Sequence, residues 1–161
     1  MSTEVAPVKA VKLYISYATE DEKLKNQLLR HLGLLIRKGY IESWDDKQIR
    51  AGDKRDEEVL KHLGEANIIL CLLSANFIQS DFCYTIEMKY ALERQKENNV
   101  QIVPIILKSV DWKGTPLGDL QVLPRDYNNR PIADRPNKDK VFGAVVQEIQ
   151  RVIEMYRRRN A

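Results

Sequence analysis

The hydrophobic positions of this chain follow two rhythms in turn. Short apolar runs rich in β-branched and aromatic residues occur at residues 11–17 (VKLYISY), 40–44, 68–73 (IILCLL) and 100–107 (VQIVPIIL), each of strand length. Between them, apolar residues recur at spacings of three and four. Leu24, Leu28, Leu32, Leu35 and Ile36 mark one helix, with Thr19 placed to cap it and Gly39 to stop it. Val59, Leu60 and Leu63 mark a second over residues 56–64, with Gly64 as its stop. Ser80 as N-cap and Asp81 in the first turn open a third that continues to about Gln95. Val141, Val145, Ile149, Val152 and Tyr156 stripe a last helix that begins at Lys138. One helical turn at residues 117–120 and a brief fifth strand around residues 130–133 complete the expected elements.

Strands alternating with helices imply an α/β domain, a parallel sheet with helices on both faces. The unbroken apolar run at 68–73 needs cover on both sides and is expected at the centre. Pro104 removes a ladder donor, which points to a bulge or a place near the sheet's edge. Right-handed crossovers leave 2-1-3-4-5 as the common order for five strands, with the first and third strands adjacent at the switch point. Ligands bind outside the carboxyl ends of strands at such a point. The crevice is expected between residues 17–21 and 74–87. The loop DDKQIRAGDKR, which begins at Asp45 and ends at Arg55, lies close by, and its length marks it as functional or mobile.

Glu87 falls in the second turn of the helix after that central strand. Its helical neighbours at spacings of three and four are Cys83, Tyr84, Tyr90 and Ala91, none of which forms an ion pair with a carboxylate. One explanation is a solvated edge residue, or a buried acid paired with a distant Arg or Lys. The other is a site carboxylate held in a cleft.

Composition narrows the field. The 161 residues suit one domain, and 43% hydrophobic content supports a sizeable core. The two cysteines, Cys71 and Cys83, form no disulfide framework and suit a reducing, cytoplasmic setting. No run has the length of a membrane span, and residues 1–10 read as a loose leader without a signal peptide's apolar core. The net charge of +3 is spread among acids except at Arg157, Arg158 and Arg159, a basic tail over residues 157–161, so no nucleic-acid surface is expected. His31 and His62 have no second ligand at metal spacing and read as packed or surface residues. A phosphoacceptor receiver needs acids where the first and third strands end in Ser16-Tyr17 and Leu73-Ser74. Neither a G-x-G-x-x-G nor a Walker lysine loop is present. Cys83 and His62 have no visible orienting partner for a nucleophilic pair.

YISYATED, WDDKQIRAGD, LLSANFIQSDFCYTIE and LQVLPRD, in that order, resemble successive landmarks of the TIR domain in its bacterial form, over residues 11–156. The resemblance implies a flavodoxin-like doubly wound sheet, as derived above. It also implies cleavage of NAD+ at the nicotinamide–ribose bond, with NAD+ as substrate and no further cofactor or metal. Glu87 matches the family's catalytic glutamate, and Ser16, Tyr17, Trp44 and the loop after it border the substrate. Two positions depart from the family: Cys83 stands where relatives often carry Trp, and Arg50-Ala51 precedes Gly52 where a proline is common.

A single carboxylate suffices for this chemistry. Ordinary glycosidases use a second one to protonate a poor leaving group, whereas nicotinamide departs as a neutral molecule. Glu87 is expected to hydrogen-bond the ribose hydroxyls and support oxocarbenium-like charge. Tyr17 and Trp44 are candidate stacking surfaces or ordinary core, and Ser16, Ser80 and Arg50 are candidates for polar or phosphate contacts. The leading expectation is an NAD glycohydrolase or ADP-ribose cyclase, activated by homo-oligomeric self-association and serving antiviral defence. The alternatives are a non-catalytic TIR interaction module that docks through the 45–55 loop, and a nucleoside deoxyribosyltransferase-like enzyme.

Overall fold

The computed structural model describes residues 9–160, so most of the expected leader, residues 1–8, lies outside the described residues. The apolar run at the centre forms β3 (Ile68–Leu73), every residue of which is buried. β1 (Val11–Ser16) and β4 (Gln101–Ile106) pair with it in parallel on either side, and β2 (Ile41–Trp44) pairs with β1, giving the order β2-β1-β3-β4.

The sheet therefore has four strands among the described residues, not the expected five. Residues around 130–133 form two three-residue 3-10 turns, Tyr127–Asn129 and Ile132–Asp134. Tyr127, Asn128 and Asn129 all have positive φ, and Pro131 lacks a donor, so an extended strand cannot form there. The edge of β4 is covered another way. Leu123 bridges Ile105, its N–H donating to the Pro104 carbonyl at 2.9 Å and its carbonyl accepting from Ile106 N–H at 2.8 Å. Pro104 thus turns its donorless side away from β3, which is how a proline persists inside a paired strand.

Alternation along the strands divides the core in two. Leu13, Ile15, Leu70 and Ile105 face α1 (Glu22–His31), α2 (Gly33–Arg37) and α6 (Lys138–Arg159). Tyr14, Ile69, Cys71 and Ile106 face α3 (Arg55–Glu65), α4 (Ala75–Gln79) and α5 (Met88–Lys96). Helix boundaries differ in detail from the pattern. Thr19 makes no capping bond and opens a 3-10 turn instead, and α3 runs through Gly64. Ile36 and Leu60 are exposed at 38% and 43%. Residues 117–120 make a turn with Leu117 buried, and the basic run Arg157 to Arg159 is the last turn of α6. His31 meets Asp139 at 3.0 Å and stacks on Phe142.

One buried ion pair ties the loop after β2 to α1. Lys25 Nζ lies 3.3 Å from Asp45 Oδ2, both side chains nearly inaccessible, while Asp45 Oδ1 accepts from Lys47 N–H at 2.9 Å to cap the 3-10 turn Asp46–Gln48. Removing one partner strands the other charge away from water. Lys25→Ala is expected to cost about 3–5 kcal/mol in urea unfolding. Lys47→Ala, whose pairing with Glu22 is half exposed, should cost less than about 1 kcal/mol in the same assay.

Candidate functional site

The helix carrying Glu87 begins at Ser80 as expected, but it is preceded by a short helix and changes its winding along its length. After β3, Ser74 caps α4 by accepting from Phe77 N–H at 3.0 Å. The chain then extends at Ser80, whose hydroxyl accepts from Cys83 N–H at 3.1 Å. Residues Asp81–Glu87 are π-helical and lead directly into α5. Such wide turns leave local ladder positions irregular and recur at functional sites. This one turns Cys83 and Glu87 inward and leaves Thr85 and Ile86 exposed.

Glu87 is 4% exposed, and no cation pairs with it among the described residues. The hydroxyl of Tyr14 donates to its Oε2. Ser16, two residues along β1 and so on the same face, holds its hydroxyl buried without a hydrogen-bond partner. Cys83 Sγ donates to the Tyr17 carbonyl at 3.4 Å. Burial raises the Glu87 pKa from 4.5 to about 7; the dipoles of Tyr14, Ser16 and Cys83 pull it back and the Asp46 charge adds to the rise. Burial followed by the Glu87 charge pushes the Cys83 thiol up to about 12, and the same two causes push up Cys71.

Of the residues singled out from sequence, Ser16, Tyr17, Cys83 and Glu87 come together. Trp44 joins them through Tyr14, whose ring centroid lies 5.3 Å from its own, but one Trp44 face is covered by His62, stacked at 4.1 Å. The Tyr17 ring lies under Lys25 Nζ at 4.8 Å. Ser80 serves as the cap described above. Arg50 points outward, 87% exposed, and pairs with Asp53.

The expected open crevice is closed. Asp21, buried after β1, accepts from Ser74 Oγ and from Asn76 Nδ2 at 3.0 Å and pairs with Lys108 Nζ at 2.6 Å, so the walls meet. Glu87 lines none of five prominent cavities among the described residues. A 330 Å³ cavity lined by Tyr14, Trp44, Gln48 and His62 adjoins Tyr14. Asp46 pairs with Arg55 at 2.9 Å, and the Arg55 guanidinium lies 4.9 Å over the Phe82 ring, strapping the 45–55 loop to the π-helical turn. Sequence reasoning missed Tyr14, and it placed Asp21, Asp46 and Phe82 in the expected walls and loop without giving them roles. Tyr14 left a signal of its own, a phenol on the face of β1 that also carries Ser16. No cluster of three metal-binding side chains exists among the described residues.

Comparison with known proteins agrees with this architecture. A family model described as the TIR domain matches residues 13–138, and the chain belongs to that family. It is 40% identical over 138 residues to an uncharacterised protein, y4lF, of Sinorhizobium fredii (strain NBRC 101917 / NGR234), covering 86% of this chain and 42% of that one; it thus spans less than half of this curated relative. Its fold is similar to the TIR domains of the activated Roq1 resistosome that recognises the effector XopQ (TM-score 0.67, 17% identity, 87% of this chain and 99% of that one). It is also similar to the TIR domain of the Toll-related receptor TRR-2 from Hydra magnipapillata (TM-score 0.62, 19% identity, 88% and 97%).

The raised Glu87 pKa makes stability depend on pH. The folded state holds this proton more tightly than the unfolded chain, so stability falls as pH rises from 4.5 through about 7. Above that window Glu87→Gln should be more stable than the parent by up to roughly 3 kcal/mol, and below it the advantage should vanish. Urea unfolding of both proteins at the two ends of the window checks this.

Proposed function

We propose that this TIR domain cleaves NAD+ at the nicotinamide–ribose bond, with Glu87 as the catalytic carboxylate. The observation that carries the reading is a carboxylate buried at the carboxyl ends of β1 and β3 with no cation beside it among the described residues. Burying an acid without a charged partner is costly, and nothing in the core requires it. In a dry site an ionised carboxylate strongly stabilises positive charge developing on a ribose. Glu87 holds the ribose hydroxyls and faces the oxocarbenium-like centre as neutral nicotinamide departs. Ser16 offers an unpartnered hydroxyl beside it, and Tyr17 and Trp44 supply aromatic surface.

Access requires movement. Glu87 is nearly inaccessible and the 45–55 loop is strapped down by Asp46, Arg55 and Phe82. Docking of a second copy through that loop, whose Arg50 already points outward, would release the strap and open the site. Homo-oligomerisation and activity are therefore coupled, in a cytoplasmic setting that two free buried cysteines suit and in a role in antiviral defence. A non-catalytic interaction module is the second reading, favoured by the Asp21 cluster that closes the crevice.

Nicotinamide release from NAD+ tests the first reading. At high protein concentration the parent is expected to release it, and Glu87→Gln should lose at least about 100-fold in rate. Arg50→Glu should abolish association, measured by sedimentation, together with release. If concentrated, associated protein yields no nicotinamide, the interaction module is the correct account.

A further inference from the structure

We infer that Tyr14 is the positioning residue of Glu87: its hydroxyl fixes Oε2 by donating a hydrogen bond to the ionised carboxylate and leaves the other oxygen to the substrate. This rests on the reading of Glu87 as the catalytic group.

The geometry leaves the tyrosine little freedom. Tyr14 is fully buried in β1, in register with Trp44 of β2 on one side and Ile69 of β3 on the other. Its ring is tilted against Trp44, which is backed in turn by His62, so the packed sheet and two aromatic neighbours set where the hydroxyl sits. A phenylalanine would fill the same space without taking a hydroxyl out of water, a step that costs about 1–3 kcal/mol when the group is unpartnered. The partner that offsets this cost is Glu87.

The direction of the bond follows from the surroundings. Burial, then the Glu87 charge, pushes the Tyr14 phenol well above its ordinary range, so it remains a donor wherever the protein works. The titratable groups facing Glu87 are Tyr14 from β1, Cys71 from β3, Cys83 from the π-helical turn and Asp46 from the loop after β2. Both thiols are pushed up and stay neutral, and Asp46 is an acid. No cation among the described residues helps to keep the carboxylate ionised. Hydrogen bonding does that against burial, and the largest such contribution comes from Tyr14. Without it, Glu87 becomes a neutral acid near neutral pH and cannot support a cationic ribose.

Tyr14→Phe tests this, because it removes one oxygen and leaves the ring packed on Trp44. The direct readout is the Glu87 titration, followed by NMR of carboxyl-labelled glutamate with Glu87→Gln for assignment. Loss of a charge-favouring bond should move the midpoint upward by about one pH unit, a tenfold change in proton affinity. In nicotinamide release, kcat should fall roughly fivefold at neutral pH with KM little changed, as the ionised fraction drops from about one half to about one tenth, and the deficit should close in alkali as the carboxylate ionises again. A purely structural role for Tyr14 would give a deficit equal at every pH. An unmoved Glu87 midpoint, or a pH-independent loss of kcat, overturns the proposal. If the midpoint moves but neither protein releases nicotinamide, Tyr14 still governs Glu87 and it is the NAD+ reading that falls.

Discussion

The Asp21 carboxylate joins the exits of three strands. It follows β1, accepts hydrogen bonds from Ser74 and Asn76 after β3, and pairs with Lys108 after β4. A parallel sheet covered on both faces sends all its chain ends of one kind to one rim, where backbone and loop polar groups must find partners or lose their hydration. Asp21 meets that demand with a full set of donors. Glu87, at the same rim, accepts one hydroxyl and faces no cation among the described residues. Two buried acids on one edge thus divide the work: the saturated one holds the loops together, and the unsaturated one keeps capacity for something else.

What could be read from the chain, and what could not, follows from the range of the interactions. β3 was legible because burial on both faces leaves an unbroken apolar run, and β4 because Pro104 forces a particular side outward. The fifth strand was illusory because three successive left-handed residues and Pro131 outweigh a short apolar segment. The helix start at Ser80 was legible from its capping residue, whereas α4 and the loose winding of Asp81–Glu87 were hidden because apolar spacing looks the same whether the backbone winds tightly or loosely over seven residues. Glu87 stood out because its local neighbours cannot neutralise it. Tyr14 lies 73 positions away and Ser74 lies 53 from Asp21, so neither partnership leaves a trace in local spacing.

The loop after β2 is held at both ends. Near its start Asp45 is sunk against Lys25, and towards its close Arg55 reaches Asp46 and the face of Phe82. Between them Gly52 takes a positive φ that side chains resist, and Arg50 extends into solvent. Firm ends with an outward middle make a segment able to answer a contact at its tip by shifting the Arg55 end, while the buried Lys25 end stays put. The contact surface and the carboxylate therefore belong to one mechanical unit.

The π-helical stretch ahead of α5 also constrains how this chain can vary. It holds one residue more than tight winding would accommodate, and Glu87 is its final member. Deleting a single residue ahead of Glu87 would restore regular winding and, because the wide turns had absorbed that residue, leave Glu87 and α5 near their present orientation while the residues between Ser80 and the deletion keep a tighter path. Conversely, an extra residue between Cys83 and Glu87 would carry the acid past Tyr14. Length in this segment is thus coupled to winding, and a relative one residue shorter here keeps the acid in place only by giving up the wide turns.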